Sequence, residues 1–228
     1  MKILITSGGT SEAIDSVRSI TNHSTGQLGA LIAQTFLEQG HQVTLLTTKN
    51  AIKPQSHPKL STIIITNTAS LQKELQERVL EHDVCIHSMA VSDYRPIYMT
   101  DIDKLDAEEN VRNFLTKEND QAKISSDSDY QVLFLEKTPK LLSHIKEWNP
   151  NIILVGFKLL VDVSEKELLS VAKASLIKNK ADFILANDLT HIDTNKHIGF
   201  LVSKDAIQKA NTKPAIAQLI YEKVTHHV

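Results

Sequence analysis

Short apolar runs rich in β-branched residues alternate along this chain with longer stretches whose apolar positions recur at helical spacing. Few folds accommodate that alternation. Ile3 to Thr6 (ILIT) is apolar and ends at Ser7-Gly8-Gly9, as a buried parallel strand running into a turn should. From Gly26 the positions Leu28, Leu31, Ile32, Phe36 and Leu37 follow a helical period, and Gly40 closes the helix. Val43 to Thr48 and Thr62 to Thr66 read as strands, Ala69 to Glu81 as a charged amphipathic helix, and Asp83 to Met89 as a strand. The pattern resumes with a strand over Ile152 to Phe157, a helix over roughly 165–179 and a strand over Phe183 to Ala186. A late strand over Ile198 to Ser203 and a closing helix over Pro214 to Val224, with proline in its first turn, complete it. Such alternation predicts an α/β, Rossmann-like, doubly wound and mostly parallel sheet with helices on both faces. In that architecture ligands sit at the carboxyl ends of the strands.

The 228 residues carry a formal charge of −2, with 41% hydrophobic and 23% charged residues. A near-neutral balance argues against a nucleic-acid or acidic-membrane binder, which needs a basic excess. One domain spanning 1–228 is expected at this length. The single cysteine, Cys85, excludes an internal disulfide framework and a cysteine-cluster metal site. The opening MKILITSGG is too short an apolar run for a signal peptide or a membrane span, so the chain reads as cytoplasmic. The exception to the alternation is 96–130, which includes DIDKLDAEEN and TKENDQAK and is dense in charge but poor in periodic apolar residues. Such an insertion is either solvated chain or a mobile lid.

Four places could carry chemistry. Ser7-Gly8-Gly9-Thr10 follows the first strand, where glycines let backbone N–H groups approach a phosphate or carboxylate, although a tight turn alone would also require them. The dinucleotide fingerprint G-x-G-x-x-G is not met. Next, Arg18 to Gly29 runs a polar loop containing Asn22, Ser24 and Thr25 into a helix N-terminus, which offers unpaired donors. Ser24 or Thr25 could simply be the N-cap, which leaves Arg18 and Asn22 unexplained. Third, Met89-Ala90-Val91-Ser92-Asp93 lies just past a strand end, where Asp93 could meet a ribose hydroxyl or a metal ion. Fourth come Lys123 at the far edge of the insertion, Lys137-Thr138-Pro139-Lys140 at a strand end and helix start, and Gly156-Phe157-Lys158. The ten histidines show no H-E-x-x-H spacing, and neither G-x-S-x-G nor a Walker motif is present.

Taken in order, ITSGGTSEAID, VRSITNHSTGQLG, AVSDYRP, KIS, KTPKLL, LVGFK and ADFILAND resemble the phosphopantothenate–cysteine ligase family of coenzyme A biosynthesis over nearly the whole chain. The ligase motifs begin at residue 3, so the chain resembles the stand-alone form rather than one fused behind a decarboxylase. The resemblance implies joining of 4′-phosphopantothenate to L-cysteine in two steps. The carboxylate first attacks the α-phosphate of a nucleoside triphosphate, and the cysteine amine then attacks the resulting acyl-nucleotide. It implies Mg²⁺ with CTP, or ATP, as co-substrate, names no residue as a metal ligand, and implies a homodimer with a shared active site. By motif, Asn22 and Lys123 would be catalytic. Gly8, Gly9, Asn22, Met89 and Ala90 would hold phosphopantothenate, and Arg18 would grip the neighbouring subunit's substrate. Asp93, Lys123, Pro139, Lys140, Leu141, Leu142 and Phe157 would frame the nucleotide.

The chain departs from bacterial relatives in two places. It has Lys123-Ile-Ser125-Ser126 where many carry K-x-K-K, and it has Ser175 and Asn179 where bifunctional members place lysines. At about 100° per residue, Lys173, Lys178 and Lys180 are expected to point elsewhere. CTP is favoured. Two other readings stand beside the ligase: an NAD(P)-dependent oxidoreductase, which should show a Tyr-x-x-x-Lys pair that is absent here, and a non-catalytic nucleotide-binding module.

Overall fold

The computed structural model describes residues 1–118, 124, 128–193 and 196–227. In chain order the elements are β1 (Lys2–Ser7), β2 (Ser11–Ala13), β3 (Ser19–Thr21), α1 (Gln27–Glu38), β4 (Gln42–Thr47), β5 (Leu60–Ile64), α2 (Thr68–Arg78), β6 (Val84–His87) and β7 (Tyr94–Asp101). They continue with α3 (Ile102–Asp106), β8 (Gln131–Lys137), α4 (Leu141–Trp148), β9 (Ile153–Leu160), α5 (Glu165–Lys178), β10 (Phe183–Ile192), β11 (His197–Val202), β12 (Ile207–Ala210) and α6 (Lys213–Thr225).

Eight strands form one sheet in the order β12-β11-β10-β9-β6-β1-β4-β5. The six from β5 to β10 run parallel, and β11 and β12 add an antiparallel edge. The chain winds outward from β1 through β4 to β5, then returns to lay β6 on the opposite side of β1. That reversal opens a crevice above the carboxyl ends of β1 and β6.

Alternation along the central strands divides the core. Ile3, Ile5, Val84 and Ile86 pack with Phe36 of α1 and Ile216 and Ile220 of α6, whereas Leu4, Cys85 and Leu154 face Leu71 and Leu75 of α2 and Leu141 and Ile145 of α4. Helix α5 covers the same side farther out, through Leu168, Ala172 and Leu176 against Ile184 and Ala186. The last residues of β1 and β6 keep this register, which puts Thr6 and His87 on the α4 side.

The expected strands and helices appear within a few residues of the expected bounds, and the differences have local causes. The N-cap of α1 is Gly26, at φ 77°, rather than Ser24 or Thr25. Lys140 stands at the N-cap of α4 without a side-chain cap bond, and Pro139 directly precedes it. Segment 96–130 departs most from expectation. Strands β7 and β8 form an antiparallel ribbon outside the main sheet, and α3 and a 3₁₀ turn at Val111–Thr116 lie between them in the chain. Tyr98, Phe114 and Phe134 stack at ring-centroid distances of 5.7 and 5.3 Å, giving the excursion a small core of its own. Apolar periodicity misses that core because each ring comes from a different segment.

Candidate active site

Backbone hydrogen bonds draw the two loops above the crevice together. Ala90 donates to the Gly8 carbonyl at 2.9 Å, and Thr10 donates back to the Ala90 carbonyl at 3.0 Å. Gly8 has φ +92°, and a Cβ there would lie 2.9 Å from both Ala51 Cβ and Thr48 Oγ1, so the turn after β1 requires glycine. Helix α1 begins directly above β1. Ser7 Oγ donates to the Gly26 carbonyl at 3.0 Å, and a Cβ on Gly29 would fall 2.4 Å from Ser7 Oγ. The glycines of STGQLG thus let the first turn of α1 approach the strand closely and aim its unpaired N–H groups into the crevice.

Two adjoining cavities flank this point. The first, of about 420 Å³, has Asp93, Lys140 and Lys178 on its wall together with His87, Leu141, Leu142 and Ser175. The second, of about 510 Å³, lies over Gly8, the α1 N-terminus (Gly26 to Gly29), Ala90, Asn187, His197 and Lys213. Met89, Phe157 and Lys158 line both and form the partition between them. Among the described residues no Asp or Glu lines the second cavity, while Lys158 and Lys213 do, which favours an anion there.

Buried titratable groups shape the electrostatics. His87 is buried, and desolvation lowers its pKa to about 4, so the ring is neutral near pH 7. Its Nδ1 lies 2.9 Å from Thr6 Oγ1, which also accepts a hydrogen bond from the Met89 N–H at 3.2 Å. His197 is likewise lowered to about 4, first by burial and then by the charge of Lys213; its Nε2 meets Asn187 Nδ2 at 3.1 Å. Asp188 accepts from the N–H groups of Asp162, Val163 and Thr190 and from the Thr190 hydroxyl. Those donors hold its carboxyl well below the usual range and pin the loop after β9.

The residues expected to frame a nucleotide come together: Asp93, Pro139, Lys140, Leu141, Leu142 and Phe157 all line the first cavity, and Asp93 is ion-paired with Lys140. Gly8, Met89 and Ala90 line the second. Gly9, Asn22 and Arg18 line neither. Asn22 sits against Gly9, its backbone N–H donating to the Thr10 carbonyl at 3.1 Å. Arg18 pairs with Asp15 at 2.6 Å and donates to the Ile124 carbonyl at 2.9 Å, and the guanidinium holds the Asp15 carboxyl far down. Lys123 lies outside the described residues. One expectation is corrected: Lys178 does not point away, because α5 places it on the wall of the first cavity beside Ser175 and Asn179. Lys178 stands three residues after Ser175, nearly one turn on and so on the same face of α5, and its long side chain reaches the opening that Ser175 lines. Sequence reasoning named Lys158 within Gly156-Phe157-Lys158 without giving it a role, and it passed over His87, Asn187, His197 and Lys213, although Asn187 stands inside the AND motif. Among the described residues, no three His, Cys, Asp or Glu side chains converge as a metal site, and no helix is long and apolar enough to cross a membrane.

Residues 1–109 and 107–227 match the family described as DNA/pantothenate metabolism flavoprotein C-terminal domain. The coenzyme A biosynthesis bifunctional protein CoaBC of Thermococcus kodakarensis is 30% identical over 226 residues, covering 98% of this chain and 50% of that protein. The chain therefore spans about half the length of the curated relatives it matches. A crystal structure of the DNA/pantothenate metabolism flavoprotein from Streptococcus pneumoniae superimposes with a TM-score of 0.96 at 58% identity, covering 100% of both chains. A Cab2 mutant in complex with phosphopantothenate-cysteine shares the fold, with a TM-score of 0.73 at 21% identity over 99% of this chain and 88% of that one.

Proposed function

The chain belongs to the DNA/pantothenate metabolism flavoprotein C-terminal domain family, and from that footing we propose that it is a ligase joining 4′-phosphopantothenate to L-cysteine at the expense of a nucleoside triphosphate. The observation that carries this reading is the pair of cavities at the switch point, one with a mixed-charge rim and one basic, separated only by Met89, Phe157 and Lys158. A nucleoside fits the first cavity, with Asp93 and Lys140 at its sugar and Phe157 against its base. Phosphates reach the α1 N-terminus, Lys158 and Lys213.

In the first step a carboxylate oxygen of phosphopantothenate forms a bond to the α-phosphorus, and the bond to the β-phosphate breaks, releasing pyrophosphate. In the second step the cysteine amine attacks the acyl carbon, the acyl–oxygen bond breaks, and the nucleoside monophosphate leaves as the amine loses its proton. Lysines and helix N–H groups fixed beside these phosphates offset charge that grows in the transition state, and their arrangement costs no reorganisation. Mg²⁺ would arrive with the nucleotide, neutralising phosphate charge with oxygen ligands from phosphate and water. Among the described residues Asp93 is the single carboxylate lining either cavity. Asn22 would hold the acyl carbonyl during conversion of the intermediate, Lys123 would act from a lid over 96–130, and Arg18 would serve a neighbouring subunit's site in a homodimer. CTP is the favoured nucleotide.

The test is pyrophosphate release from purified protein supplied with Mg²⁺, 4′-phosphopantothenate, L-cysteine and either CTP or ATP. Release that requires phosphopantothenate is the expected result, and Asn22→Ala should retain nucleotide binding while losing product. Absence of release with both nucleotides would overturn the ligase reading.

A further inference from the structure

Among the described residues, His87 is the one side chain of the first cavity that combines near-complete burial with an uncommitted polar atom. It ends β6, pairs in register with Gly156 of β9 and faces the α4 side of the sheet. Its surroundings at the cavity floor are apolar, including Met89, Leu141 and Phe157, whereas the charged Asp93, Lys140 and Lys178 are exposed at the mouth. A flat ring suits that floor and a sugar phosphate suits that mouth.

The proton on the imidazole can be placed. Thr6 Oγ1 accepts the Met89 N–H, and among the described residues the acceptor within reach of its own hydroxyl proton is His87 Nδ1. Nδ1 therefore accepts, and in the neutral ring the proton sits on Nε2. Nε2 has no hydrogen-bond partner among the described residues, yet it is not one of the sealed, unpaired side-chain atoms. The open edge of the ring is thus the one that lines the cavity.

We propose that His87 reads the nucleobase, its Nε2–H donating to the projecting O2 carbonyl of a pyrimidine at the cavity floor. This rests on the first cavity holding the nucleotide, as argued above. Adenine has no projecting carbonyl; its acceptors are the ring nitrogens N1, N3 and N7, set back in the plane of a larger ring, so at the place where a pyrimidine offers O2 it presents no oxygen to the buried donor. Cytosine and uracil share O2, and His87 treats them alike. The same donor needs its backing: Thr6 acts on base choice only through the tautomer it imposes.

The experiment measures pyrophosphate release by the whole protein with CTP, UTP and ATP in turn, for the unaltered chain, His87→Phe and His87→Gln. Phenylalanine keeps a flat ring without the donor, and the glutamine amide nitrogen reaches the place of Nε2. The expected result is a rise of about tenfold in KM for both CTP and UTP in His87→Phe, with KM for ATP nearly unchanged, the size of one lost hydrogen bond. His87→Gln should restore most of the pyrimidine preference. Nitrogen-15 NMR of the imidazoles in the unaltered protein keeps the proposal testable if the variants fail to fold. His87 should show protonated Nε2 and bare Nδ1, and CTP but not ATP should shift Nε2. An unchanged CTP-to-ATP ratio in folded His87→Phe, or a proton on Nδ1, overturns the assignment to His87 while leaving the ligase reading intact. Loss of all release by the unaltered chain overturns the ligase reading itself.

Discussion

Burial of a neutral histidine ties the stability of this fold to pH. His87 titrates near 6.5 in an unfolded chain and at about 4 in the folded one. Between those values the unfolded state binds more protons than the native state, so stability rises with pH and is lost as the solution is acidified from about 6.5 toward 4. At pH 7 the difference is nearly nil. At pH 5 the unfolded side chain is almost fully protonated and the native one hardly at all, a population ratio of about 30, which corresponds to about 2 kcal/mol. That is a large share of the ordinary stability of a domain. The assay is urea unfolding followed by circular dichroism at pH 7, 6 and 5, for the unaltered protein and for His87→Gln, which has no titrating group at that position. The carboxylates and the other buried histidine, His197, are common to both proteins and cancel in the comparison. The unaltered chain should lose about 2 kcal/mol more than the variant between pH 7 and 5. Parallel losses in the two proteins would mean that His87 is solvated or already charged in the native state, and the reasoning would fail.

Three further outcomes follow from contacts described above. Gly29→Ala places a methyl group 2.4 Å from Ser7 Oγ, so it should destabilise the fold by about 1–3 kcal/mol, and Ser7→Gly in the same chain should recover part of that; an unchanged unfolding midpoint in the single variant would contradict the close approach. Asp188→Asn exchanges the acceptor of four hydrogen bonds for an amide that can offer only one oxygen. Because the carboxyl is held well below its usual range, the loss in Tm should be evident near pH 7 and should shrink as pH falls below about 4, where unfolded carboxyls are protonated. Cys85 is buried, and its thiol is pushed up to about 12, so iodoacetamide at pH 8 should leave the native protein unlabelled and modify it readily in denaturant. Fast native labelling would show that the centre of the sheet opens.

The central sheet was legible in the sequence because its strands are covered on both faces and therefore read as unbroken apolar runs, of which Ile3 to Thr6 is the clearest. Strands without such cover were not. β12 has three exposed residues of four, and β7 carries Pro96 and pairs with a partner far along the chain. The residues expected to frame a nucleotide were legible as motifs, and the fold brings Asp93 to Pro139 on one cavity wall through a distance in sequence that no local pattern spans. Residues on strand ends that act by facing inward left no such signal. His87 reads as core until its register opposite Gly156 and beneath α4 is known. His197 and Lys213 become neighbours of Gln27 only when β11 and α6 are laid beside α1.

The ribbon of β7 and β8 departs from the main layer and rejoins it at almost one point, where Thr138 donates its N–H to the Asp93 carbonyl at 3.0 Å and its hydroxyl bonds to the Ser92 carbonyl. Everything between those residues is therefore an inserted cassette whose two ends already touch. A chain spliced from Asp93 to Thr138 through a few glycines would keep the strand order, both cavities and every residue that frames the first of them. The cavities and the excursion are thus separable parts of this scaffold, the first belonging to the sheet and its loops and the second a part that can be cut out and exchanged.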